Sequence, residues 1–180
     1  MKKLFVAILM VWGFAAQAQF SKASLQASGL TCSMCSKAVK TALEKVSFVE
    51  KVQVDIKNQQ YNLTFKQAET IDFDALGKAV EDAGFSVASL QVTASVNNLH
   101  VKKDDHVQIG GKTFHFLSAK GQPLNGEVTF SIVDKSFVSA KEFRKYASLT
   151  KMACVQTGQM AKCCAGETSP EAYRIFHVII

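Results

Sequence analysis

Between residues 21 and 92 the apolar spacing switches between two periods, and this constrains the fold more than any other feature. Ala23, Leu25 and Ala27 alternate with polar residues up to Gly29, the period of a half-buried strand. Met34, Ala38, Val39, Ala42, Leu43 and Val46 then recur at helical spacing, with Lys37, Lys40 and Lys45 between them. Alternation returns at Val52, Val54 and Ile56 and again at Tyr61, Leu63 and Phe65, with Lys57 to Gln60 as the polar turn of a hairpin. Asp72 caps a second helix carrying Phe73, Leu76, Ala79, Val80 and Ala83, which ends at Gly84. Phe85, Val87 and Leu90 begin a fourth strand. The order β-α-β-β-α-β is the split βαβ, or ferredoxin-like, arrangement.

Cys32 and Cys35 occupy the first strand-to-helix connection, Cys32 in the loop and Cys35 in the first helical turn. Backbone N–H groups without intrahelical partners and the positive end of the helix dipole favour thiolates there. Two thiolates at an open loop suit a soft, low-charge ion such as Cu(I), and open coordination positions let a partner's thiol take the ion by ligand exchange. A structural disulfide and a redox pair are the alternatives. The two prolines of the chain, Pro123 and Pro170, lie far from this loop, so the cis-proline on which a thioredoxin site relies has no counterpart here.

The loop Gly29-Leu30-Thr31-Cys32-Ser33-Met34-Cys35 resembles the GMTCxxC loop of the heavy-metal-associated domain family, and Asp82-Ala83-Gly84-Phe85 resembles the end of that family's second helix. The likeness spans roughly residues 21 to 92. The family includes copper chaperones, the metal-binding modules of copper-transporting ATPases and the periplasmic mercury-binding protein. The resemblance implies that Cys32 and Cys35 are metal ligands, that Leu30 plugs the core under the loop, and that Phe85 packs beside the site. Leu30 stands where the family usually has Met, a swap of similar volume. Cu(I) is the ion expected first, with Hg(II), Zn(II) or Cd(II) sharing the same ligands. The expected partner is a metal-transporting or metal-resistance protein.

The compartment bears on the chemistry. Residues 1–18 carry Lys2 and Lys3, an apolar run from Leu4 to Ala16, and the small-residue motif Ala16-Gln17-Ala18, the pattern of a cleavable signal peptide. The apolar run is short for a membrane span. The chain is accordingly expected to be periplasmic or secreted, and not an integral membrane protein. Its formal charge of +6 includes both leader lysines; the modest remainder is no nucleic-acid footprint. Lys37 and Lys40 could steer an acidic partner or simply form a solvated helix face.

Residues 94–180 are expected to form a second, mainly-β unit, after the 19–93 domain and a polar joint at Ser95 to Asn98. Val107 to Ile109, Gly110-Gly111 and Thr113 to Leu117 read as a hairpin on a two-glycine turn. Gly126 to Val133 reads as a strand, Ser139 to Glu142 as a capping box opening a helix to about Ser148, and Ala172 to Ile180 as a final strand. An α+β chain with an OB-like barrel and one helix in its second half accounts for this pattern. Gly111-Lys112-Thr113 does not make a phosphate loop, because the required upstream glycine position holds His106. His100, His106, His115 and His177 show no ligand spacing and read as structural or surface residues. With no nucleophile and base at motif spacing and no paired carboxylates, the chain is not expected to be an enzyme.

The segment from Lys151 to Gly166 holds Met152, Cys154, Met160, Cys163 and Cys164. Thioether and thiolate together suit Cu(I), so these five residues form a second metal site or contain a disulfide from Cys154 to Cys163 or Cys164. A bond between the adjacent pair itself is disfavoured by its Cα separation. A thiol-disulfide redox protein or sensor, with one of these cysteines resolving, is the alternative function.

Overall fold

A computed structural model describes residues 20–67, 69–160 and 173–180. The signal peptide expected at 1–18 lies outside the described residues. The elements are β1 (Phe20–Ser28), α1 (Ser33–Glu44), β2 (Val49–Asp55), β3 (Gln60–Phe65), α2 (Phe73–Asp82) and β4 (Ser86–Lys102), followed by β5 (His106–Ile109), β6 (Lys112–Ser118), β7 (Lys120–Ile132), α3 (Ala140–Ala147), α4 (Cys154–Thr157) and β8 (Ile175–Ile179). The first six reproduce the ferredoxin-like order, with β1 antiparallel to both β3 and β4.

Ile56, expected inside a strand, lies past the end of β2 and is 85% exposed. Met34, expected on the apolar stripe of α1, is 70% exposed in its first turn, and the helix buries Val39 and Leu43 instead.

All eight strands belong to one sheet, ordered β2-β3-β1-β4-β7-β8-β6-β5. The boundary expected at residues 93 and 94 falls inside β4, which pairs with β1 on one side and β7 on the other. The polar joint is a bulge within that strand. The register shifts between Val96 and Leu99, Asn98 takes φ 46, and its N–H donates to Asn125 Oδ1 at 2.5 Å. Asparagine tolerates the left-handed region, so an interruption of alternation is absorbed without ending the strand. Among the described residues the sheet does not close into the expected barrel: β2 and β5 are its end strands. The two-glycine hairpin does form, with Gly110 at φ 55 and Gly111 at φ 74.

Strand alternation sorts β6 and β8 between two layers. Phe114 and Phe116 of β6, with Phe176 and Val178 of β8, enter the main core containing Phe20, Val39, Leu43, Phe73 and Leu76. Phe73 meets Phe20 edge-on at 5.0 Å and Phe176 at 5.3 Å, so α2 is seated on rings from both halves. Leu117 joins Val133, Phe143 and Val155 in a second cluster, with α3 and α4 supplying the last two. Arg174 ties α2 to the strand end. It makes two bonds to Asp74, at 2.8 and 3.0 Å, and an ion pair to buried Asp134 at 2.9 Å. Burial opposes its charge, yet the bonds and charges of Asp74 and Asp134 hold its pKa above the ordinary arginine value.

Candidate metal centre

Backbone geometry fixes the thiol loop. Gly29 has φ +84, and a Cβ there would lie 3.9 Å from the Phe85 ring, so the chain turns out of β1 through a conformation that only glycine adopts readily. Leu30 and Phe85, both half-buried, pack against the main core. Cys32 is the N-cap of α1, with φ −152 and ψ 164. Its carbonyl accepts from Ser36 N–H at 3.2 Å, and its sulfur accepts from Cys35 N–H at 3.4 Å. The sulfur thus does what a serine or aspartate oxygen does at other helix starts. Beneath the first turn, the Tyr61 hydroxyl lies 3.0 Å from Ser36 Oγ and donates to Ser36 O at 3.3 Å, locking α1 onto β3.

Cys32 is exposed and Cys35 partly so, and their sulfurs are 2.9 Å apart. The hydrogen bond from the Cys32 thiol holds the Cys35 pKa below the ordinary thiol value, reinforced by bonds from Thr31. Two thiolates bound to one ion at about 2.3 Å each lie about 3.8 Å apart at a tetrahedral angle. An ion shared by the two sulfurs would hold them wider apart than the 2.9 Å seen here. A cavity of about 460 Å³ adjoins the loop, lined in part by Leu30, Cys32, Ser36, Lys37 and Tyr61. Lys37 and Lys40 both line this cavity, and Lys40 is paired with Glu44 on its own helix.

The second sulfur group is divided. Cys163 and Cys164 lie outside the described residues, and so does either disulfide expected from them to Cys154. Cys154 is fully buried at the start of α4. Met152 is half-buried, and its N–H donates to Thr150 Oγ1 at 3.1 Å. Met160 lines a polar cleft with Asp74, Lys112, Tyr173 and Arg174.

The histidines, read from the sequence as structural or surface residues, include three that the structure brings together, with His115 and His177 buried. His106 and His115 are partners across the β5–β6 hairpin, and His115 is the partner of His177 across β6–β8. The first contact was legible: counting outward from Gly110-Gly111 sets His106 opposite His115. The second depends on a parallel pairing that no local pattern announces. His100 is exposed on β4.

The sequence model of the heavy-metal-associated domain matches residues 24–86. The mercuric transport protein periplasmic component of Salmonella typhi is 40% identical over 91 residues, a match covering 47% of this chain and 93% of that protein. A probable copper-exporting P-type ATPase of Archaeoglobus fulgidus is 29% identical over 80 residues, covering 44% of this chain and 10% of the ATPase. The chain thus spans about a tenth of the length of that relative. Among solved structures, oxidized MerP from Ralstonia metallidurans is 36% identical and matches with a TM-score of 0.35 over 39% of this chain and 96% of that one. With a 40% identical relative covered almost end to end and the thiol loop inside the matched segment, the chain belongs to the heavy-metal-associated domain family.

Proposed function

We propose that the protein captures a soft metal ion, Cu(I) in the first instance, between Cys32 and Cys35 and passes it to a transport or resistance partner outside the cytoplasm. The observation that carries this reading is the exposed thiol pair at the N-cap of α1, where the Cys35 pKa is lowered. A two-thiolate site with open positions admits a third thiolate from a partner, and the ion moves as bonds to one protein replace bonds to the other. Lys37, at the rim, attracts an acidic partner surface. No catalytic step is assigned. Anaerobic titration of the reduced chain lacking residues 1–18 with Cu(I) against a competing chelator is the test. The Cys32→Ser/Cys35→Ser double variant is expected to bind one equivalent fewer than the parent. Equal stoichiometry and affinity in the two proteins would refute the assignment.

A second reading, with Hg(II) as cargo, is favoured by the mercuric transport relative. It uses the same residues, because Hg(II) also prefers thiolates. Competition between Cu(I) and Hg(II) for the loop, with Zn(II) and Cd(II) as further competitors, ranks the ions.

A further inference from the structure

A second sulfur and nitrogen cluster lies far along the sheet from the thiol loop. His106, His115 and His177 form a row across β5, β6 and β8. The rings of His106 and His115 stack at 4.4 Å, and His177 meets His115 edge-on at 5.1 Å. His115 sits in β6 between Phe114 and Phe116, which enter the main core, and two residues before Leu117, which joins the α3 and α4 cluster. Alternation therefore turns His115 toward the layer from which α4 delivers Cys154. Cys154 Sγ lies 3.5 Å from His115 Nδ1 and 3.8 Å from His106 Nε2, and the three donor atoms all fall within 4.8 Å of one another.

We propose that Cys154, His106 and His115 bind a transition-metal ion, Zn(II) or Cu(I), at a site independent of Cys32 and Cys35. In a tetrahedral centre with bonds of about 2.0 Å to nitrogen and 2.3 Å to sulfur, neighbouring donors lie about 3.3–3.8 Å apart. Both sulfur–nitrogen separations match this. The tautomer is also set: Asp104 Oδ1 lies 3.1 Å from His115 Nε2, so that nitrogen carries the proton and the Nδ1 lone pair faces the thiol. A carboxylate holding the far nitrogen is the usual outer support of a metal-bound histidine. Burial, together with the neighbouring His106 and His177, pushes the His115 pKa down to about 4, and burial lowers that of His106. His177 Nε2 is buried with no hydrogen-bond partner among the described residues, a further polar atom left unsatisfied next to the cluster.

The line Cys154–His115–Asp104 also has the order of a nucleophile, a base and an orienting acid. Cys154 and His115 are each 0% exposed, which denies a substrate the approach such a relay requires, and a second imidazole at the thiol is what a metal needs. A buried site of this kind retains its ion, whereas the exposed loop exchanges.

The test uses the reduced chain lacking residues 1–18 and carrying Cys32→Ser/Cys35→Ser, titrated anaerobically with Zn(II) and, in a separate arm, Cu(I). The expected result is one equivalent of at least one ion, with X-ray absorption showing one sulfur and two or more nitrogen neighbours. Uptake is expected to be lost in Cys154→Ser and in His106→Ala, to weaken about 10–100-fold in Asp104→Asn, and to be unchanged in His100→Ala. His106 is only half-buried, so its variant is expected to fold, as metal-free circular dichroism will show. No uptake of either ion, uptake that survives both ligand substitutions, or a shell of sulfur alone would overturn the proposal. So would rapid acylation of Cys154 in folded protein that takes up no metal.

Discussion

At the scale of single residues, the thiol loop is held by two positions outside the cysteine pair. Gly29 at φ +84 sits where a Cβ costs roughly 1–2 kcal/mol. Gly29→Ala is expected to lower stability by that amount in a denaturant titration and to weaken ion binding, since the strain is relieved by moving Cys32. Tyr61 stabilises the first turn through its hydroxyl contacts to Ser36. Tyr61→Phe is expected to cost about 1 kcal/mol, with Cu(I) stoichiometry unchanged. The placement of Cys32 and Cys35 at an exposed helix start was legible because spacing, cap and element order all bear on the same two residues. His106 and His115 were not read as a pair, although the glycine turn that aligns them was. Cys154 joins them only through the docking of α4, a tertiary event without a sequence period.

Elements were legible where an end signal accompanied the period. The Ser139 hydroxyl accepts from Glu142 N–H at 3.3 Å, the first half of the capping box expected there, while the Glu142 carboxylate accepts from the Ser139 hydroxyl at 2.9 Å rather than from its backbone N–H. Ser139→Ala is predicted to cost about 1 kcal/mol, read as a lower unfolding midpoint at unchanged denaturant sensitivity. β4 was cut short in the reading because Asn97 and Asn98 interrupt its alternation. Polar residues in a row mark either a linker or a bulge, and only the facing strand decides between them. Here Val96 pairs with Gly126, and pairing resumes at Leu99 with Leu124, so β7 carries β4 past the interruption. The barrel expectation failed for a related reason: four strands and a helix fit a closed or an open sheet equally well until the neighbour of β4 is known.

At the scale of the whole molecule, the heavy-metal-associated segment is one end of a single sheet, and its core is shared. Phe20 and Phe73 from the first half contact Phe114 at 5.7 and 6.3 Å. Near- and far-UV circular dichroism of the reduced chain are therefore expected to report one coincident unfolding transition; two separated transitions would show that the halves fold independently. Arg174→Ala removes the clamp between α2 and β8 and strips buried Asp134 of its cation. It is expected to cost about 3 kcal/mol, measured by chemical denaturation, without changing Cu(I) binding at the distant loop. Among the described residues no helix is long and apolar enough to cross a membrane. The central claim is that one ion is held jointly by Cys32 and Cys35, and alkylation footprinting by mass spectrometry tests it residue by residue. With one equivalent of Cu(I) added to the reduced chain, both cysteines are predicted to be protected together, and both to become reactive again when a partner thiol or chelator removes the ion. Alkylation of Cys32 and Cys35 at the metal-free rate in the loaded protein would contradict the account.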